Sequence, residues 1–157
     1  MSEPQWLTED EQRAWRALAA VMLRLPGGLE QQLQRDAGLS HFEYWVLALL
    51  SEAPEWRLRL SELAHQANAS LSRLSHVVTR LELREWVQRT PCADDARATM
   101  AELTQAGWAV VEASAPGHVE RVRELVFNGL DDTDVADLER MCAQIVRNIE
   151  DAKRRDR

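Results

Sequence analysis

The chain has 157 residues, 45% of them hydrophobic and 29% charged, with a net charge of −7. That length fits one domain able to bury a core without staples, and the composition is that of a soluble globular protein rather than a disordered or fibrous one. Two cysteines exclude a disulfide framework, no apolar run approaches the roughly 18 residues of a membrane span, and the acidic start MSEPQWLTEDEQ does not read as a signal peptide, so a cytoplasmic chain is expected.

Most of the chain reads as helix. A first helix is predicted over about residues 9–35, with an apolar stripe of Trp15, Leu18, Met22, Leu25, Leu29 and Leu33 and a kink or short break at Pro26-Gly27-Gly28. Gly38 suits its end. Ser40-His41-Phe42-Glu43 is a capping box opening a second helix, whose predicted buried face is Phe42, Trp45, Val46, Leu49 and Leu50 and which stops before Pro54. Arg57-Leu58-Arg59-Leu60 alternates and reads as a small strand. Ser61 is expected to cap a third helix over 61–68, with Leu63, Ala64 and Ala67 inward. After a turn at Asn68, Ser70 caps a fourth helix over about 70–85, with Leu71, Leu74, Val78 and Leu81 inward. Residues 86–90 and 99–103 suit strands around a polar, proline-led loop at 91–97, a β-hairpin with a long tip. A long helix follows over about 104–127, with a bend expected at Pro116-Gly117 and an end at Asn128-Gly129. The acids between Asp131 and Asp134 cap a last helix whose narrow stripe, Val135, Leu138, Cys142, Ile145 and Ile149, suits helix-on-helix packing; Cys142 is expected to be a small core hydrophobe. The basic tail 153–157 complements that helix's dipole.

Two short helices joined by a tight turn, the second followed by a hairpin, form a winged helix-turn-helix, whose second helix fits the major groove of double-stranded DNA. The charge is distributed accordingly. Between Arg57 and Arg97 there are seven arginines and five acids, a local +2 in an acidic chain. On the outer face of the fourth helix lie Ser72, Arg73, Ser75, His76, Thr79 and Arg80. All are hydrogen-bonding types, and no acid occurs over residues 70–80. Arginine pairs bidentately with guanine, and serine or threonine bonds base edges or phosphate.

The run Leu60-Ser61-Glu62-Leu63-Ala64, then Ser70-x-Ser72, Val78-Thr79-Arg80-Leu81-Glu82, Trp86-Val87-x-Arg89, Asp94-Asp95-Ala96-Arg97-Ala98-Thr99 and Leu103-Thr104-Gln105-Ala106-Gly107 resembles the multiple-antibiotic-resistance regulator (MarR) signature. The resemblance covers nearly the whole chain. It implies a mostly α fold with a small β-wing: a winged helix-turn-helix lobe over 40–103, with a recognition helix at about 70–85 and a wing at about 86–103, flanked by dimerisation helices at 1–37 and 104–157. It also implies a homodimer that reads a pseudo-palindrome, commonly as a repressor. By the same resemblance, Ser72, Arg73, Ser75 and His76 are candidates for base-edge contact, with Ser70 at the start of the same helix. Thr79 and Arg80 are candidates for phosphate contact. Arg97 matches the wing arginine that enters the minor groove, and Asp95 the acid that holds it. Two departures stand out: Ala96 where an arginine is common, and Glu85 where glycine is usual, so the recognition helix is expected to close differently here.

Many members release DNA when a small aromatic compound binds, and by resemblance the lining here includes Trp15, Met22, Phe42, Trp45 and Leu49. The same five suit a plain core, although six Trp against one Tyr and two Phe is a composition that favours aromatic ligands. Cys92 falls in the wing beside acids. His41, His65, His76 and His118 show no paired metal spacing, so neither a metal nor another cofactor is expected. No phosphate-binding glycine loop or nucleophile elbow is present, which argues against an enzyme. The alternative is a helical interaction protein that has lost DNA binding; it predicts that Arg73 and Arg97 can be replaced without effect.

Overall fold

The computed structural model describes residues 4–156. Six helices and three short strands follow in the order α1 (Glu9–Ala37), α2 (His41–Glu52), β1 (Arg57–Arg59), α3 (Leu60–Gln66), α4 (Leu71–Leu83), β2 (Val87–Pro91), β3 (Thr99–Leu103), α5 (Gln105–Val122) and α6 (Asp132–Arg155). The chain divides into two compact units, Met1–Arg121 and Val122–Arg157. No helix among the described residues is long and apolar enough to cross a membrane.

In the first unit the core is built where α2, α3 and α4 meet the sheet. Leu33, Leu39, Leu47, Leu50, Leu63, Leu74 and Leu81 are fully buried there. Truncating any one to alanine costs about 2–5 kcal/mol, through lost transfer energy and a residual cavity. The sheet is antiparallel in the order β1-β3-β2, and Val87 pairs with Leu103 and Pro91 with Thr99 to make the wing hairpin. At its edge, Glu55 and Trp56 hold positive φ in the turn before β1, and the Trp56 ring stacks on Trp108 at 4.8 Å.

Several expectations are corrected. α1 runs unbroken through Pro26. The carbonyl four residues earlier loses its donor there, but Met22 and Pro26 are exposed on this chain, so hydration can replace that bond. Only the C-terminal part of its stripe is buried, at Leu29 and Leu33. On α2 the buried apolar side chains are Tyr44, Val46, Leu47 and Leu50, whereas Trp45 is exposed and Phe42 and Leu49 are half-buried. That helix is apolar almost all round, so periodicity did not single out a face. α3 begins at Leu60, without a side-chain cap from Ser61. On α4, Leu71 is 52% exposed and Val77 takes the inward place. α5 is continuous at Pro116, and the irregularity comes later, as a π-helical turn at Arg123–Phe127 in the second unit. There, α6 starts at a capping box between Asp131 and Asp134 and has no buried residue; Cys142 is exposed rather than core. Arg157, the end of the expected basic tail, lies outside the described residues, as do residues 1–3 of the first helical segment.

α4, the helix expected to read DNA, ends in a left-handed residue that is not glycine. The Glu85 N–H donates to the Glu82 carbonyl at 2.9 Å and the Trp86 N–H to the Leu81 carbonyl at 3.1 Å, with Glu85 at φ 61°. These are the paired bonds of a Schellman closure. The helix therefore does not close in some other way around glutamate; it keeps the geometry glycine favours and carries the strain. Glu85→Gly is expected to stabilise the fold by about 0.5–1 kcal/mol, the left-handed penalty less the extra freedom of glycine in the unfolded chain, as measured by urea unfolding.

His41 and His118, distant in sequence, bring their rings to 5.9 Å, and His118 lies 4.4 Å from the Tyr44 ring. Burial lowers both imidazole pKa values below 6.5; nearby Glu30 opposes this more weakly at His41, while His41 reinforces it at His118. The unfolded chain then binds protons more readily than the folded one, so stability falls as pH drops through 6.5. Calorimetry should show the unfolding midpoint falling between about pH 7 and about pH 5, and falling less in His118→Gln.

Candidate nucleic-acid interface

Burial of Leu74, Val77, Val78 and Leu81 fixes the rotation of α4 and leaves Ser72, Arg73, His76, Thr79 and Arg80 exposed, with Ser75 half-buried. Ser70 is the N-cap, its hydroxyl accepting from the Arg73 N–H at 3.2 Å, and no acid sits in the first turn. The positive end of the helix dipole is therefore open to an anion. The turn from α3 closes through Asn68, a residue that tolerates the left-handed φ of 52° it adopts. Beside the helix runs a groove of ≈ 580 Å³ lined by Glu30, Ser40, Phe42, Ser70, Ser72, Arg73, His76, Val77 and Arg80.

The arginines around this surface have separate tasks. The Arg73 guanidinium lies over the Phe42 ring, 4.2 Å from its centroid. Arg80, expected at a phosphate, directs Nε to Glu43 Oε1 at 3.0 Å. Burial pushes the Glu43 carboxyl up, but the Ser40 N–H and the Arg80 guanidinium outweigh it, and its pKa lies below the usual 4.5. Arg84 donates to the Gly38 carbonyl at 3.0 Å and stacks on Trp86. Arg89 was part of the sequence motif without an assigned role. From β2 it forms an ion pair with Glu82 and donates to the Ser75 carbonyl at 2.9 Å, Ser75 Oγ at 3.1 Å and Thr79 Oγ1 at 3.2 Å. It latches β2 to α4 and engages two hydroxyls that the sequence offered to DNA.

At the wing tip, Asp95 accepts from the Arg97 backbone N–H at 3.0 Å, and its carbonyl accepts from the Ala98 N–H at 2.9 Å. The acid therefore holds the backbone of the wing arginine. The Arg97 guanidinium has no ion-pair partner among the described residues, and Cys92 is half-buried at the base of the loop.

The effector-lining candidates are dispersed on this chain. Trp15, Met22 and Trp45 are exposed, Leu49 is half-buried, and Phe42 lines the groove beside α4. A second cavity, of ≈ 250 Å³, is lined by Asp36, Ala37, Trp86, Val110, Ala113, Ser114 and Gly117, with none of the five. Among the described residues no cluster of three metal-ligating side chains occurs.

Residues 39–99 match the sequence profile of the MarR family. Over 94% of its length and 92% of the other, the chain superposes on a MarR family transcriptional regulator from Streptomyces coelicolor solved in complex with DNA, with a TM-score of 0.90 and 42% identity. AbsC, another MarR family transcriptional regulator from that organism, is 37% identical with a TM-score of 0.88, over 94% of this chain and 99% of that one. The HTH-type transcriptional repressor YetL of Bacillus subtilis is 30% identical over 95 residues, and the match spans 60% of this chain and 57% of the repressor. The chain belongs to the MarR family of winged-helix transcriptional regulators, not to an enzyme family.

Proposed function

We propose that the protein is a homodimeric, sequence-specific DNA-binding repressor of a pseudo-palindromic operator. The observation that carries this reading is the placement of two cations that make no ion pair with a described residue: Arg73 on the exposed face of α4 and Arg97 at the wing tip. One suits a guanine edge in the major groove, the other the backbone or minor groove beside it. The S. coelicolor relative solved on DNA supports the same reading. Dimerisation is supported by two apolar surfaces that have no cover within their own unit: Trp15, Val21, Met22 and Leu23 on α1, and Val135, Met141, Ile145 and Ile149 on α6. Exposed apolar surfaces with several large side chains mark association faces. Release by a small aromatic compound is the regulatory part of the proposal, supported by the open groove in which Phe42 and Arg73 meet.

In vitro transcription from the promoter flanking the gene tests the function. Added protein should lower run-off product, and a small aromatic compound that binds should restore it. Sedimentation at the same concentration should give twice the chain mass of 17.9 kDa. Unchanged transcription from every flanking promoter, or a monomer, would contradict the reading.

A further inference from the structure

The basic side chains around α4 differ in what still holds them. Arg80, Arg84 and Arg89 each donate to a carboxylate, carbonyl or hydroxyl of the protein itself. Arg73 is held another way, by the face of its guanidinium over the ring of Phe42, and its side chain makes no hydrogen bond to any described residue. Stacking engages the flat face of a guanidinium and leaves the N–H donors on its edge available. The platform is rigid. Phe42 sits in the first turn of α2, half-buried and packed against the core, in a helix start fixed by the reciprocal bonds of Ser40 and Glu43. Glu43, next to it, is tied across to Arg80, so the α2 start and α4 are joined a second time beside the Arg73–Phe42 contact.

We propose that Phe42 is a specificity-determining positioning residue: its ring holds the Arg73 guanidinium so that the donor edge faces a guanine in the major groove. The proposal rests on the DNA-reading function above and deepens it. A long arginine side chain that is free in solution loses rotamer freedom when it pairs with a base, and one already stacked loses less. Removing the ring leaves the positive charge in place, so attraction to phosphate persists while the choice of base weakens. This gives Phe42, one of the residues expected to line an effector pocket, a direct part in DNA reading.

The test is selection of duplexes from a randomised pool by wild type, Arg73→Ala, Phe42→Leu and Phe42→Tyr, with thermal melts and salt titrations of each. Wild type should enrich one guanine per half-site, and Arg73→Ala should lose it. Phe42→Leu should lower the preference for that same guanine about 2- to 5-fold, with an unchanged salt slope, and Phe42→Tyr should restore it. If Phe42→Leu fails to fold, Phe42→Met serves in its place, since it also fills the site without an aromatic face. An enriched guanine that depends on Arg73 but is selected equally without the ring would overturn the role of Phe42. A wild-type pool with no enriched motif would instead overturn the DNA-reading function beneath it.

Discussion

Gly107→Ala is expected to lower the unfolding free energy by about 3 kcal/mol. A Cβ at this position would fall inside the van der Waals sphere of the Trp86 carbonyl oxygen and 2.7 Å from Leu103 Cδ1. Neither neighbour can give way cheaply. The Trp86 carbonyl accepts from the Thr104 N–H at 3.0 Å, and Leu103 is 3% exposed in β3. Thr104 Oγ1 donates to the Glu85 carbonyl at 2.7 Å and accepts from the Gly107 N–H at 3.0 Å. The end of α4, the end of β3 and the first turn of α5 thus form one close-packed joint. Gly27 is the internal contrast, since a Cβ there meets nothing within 4 Å. Gly27→Ala, in an exposed stretch of α1, should stabilise by up to about 1 kcal/mol. Urea midpoints of the two variants should move in opposite directions. Equal shifts would show that the joint is looser than described.

The second large effect is on DNA. Arg73→Ala combined with Arg97→Ala should abolish discrimination between operator and scrambled duplex. A bidentate guanine contact contributes about 1–3 kcal/mol of discrimination per half-site, and a dimer uses it twice. Arg97 acts differently: its loss should weaken binding to all sequences and flatten the dependence of log K on log salt by about one unit per contact removed. Neither side chain is buried or ion-paired, and the exposed stacking of Arg73 on Phe42 contributes only about 0.5–1 kcal/mol, so both substitutions should move the thermal midpoint little. Loss of binding together with loss of fold would not support an interface at these residues.

Much of the fold was legible because its signals are local. The capping box at Ser40 and Glu43, the cap at Ser70, the left-handed ends at Gly38 and Asn68 and the wing hairpin all lie within a few residues in sequence. Faces were harder to read. Trp45 carries the apolar chemistry of a core residue, yet Tyr44 and Leu47 are the ones buried, because the almost wholly apolar α2 has no rotation dictated by pattern alone. On the amphipathic α4 the inward face was legible at Leu74, Val78 and Leu81, and only its first residue, Leu71, is exposed where Val77 is buried. The site was legible in its residue types but not in its bonds. Arg80 reaches Glu43 across 37 positions and Arg84 reaches Gly38 across 46, pairings set by packing that no spacing rule reveals. Arg89 stood in the motif, but its contacts to Ser75 and Thr79 exist only once β2 lies beside α4. The stripes of α1 and α6 were read correctly as apolar, but burial was not legible: Trp15, Met22, Ile145 and Ile149 are exposed on this chain.

The central claim is that α4 and the wing bind DNA by sequence. Fluorescence anisotropy with labelled duplexes from the regions flanking the gene, against a scrambled duplex at two salt concentrations, tests it most directly. Tight, salt-dependent binding to one flanking fragment, at least about 1,000-fold stronger than to scrambled DNA, is the predicted result. Equal binding to every duplex, unchanged in the Arg73→Ala/Arg97→Ala variant, would contradict it.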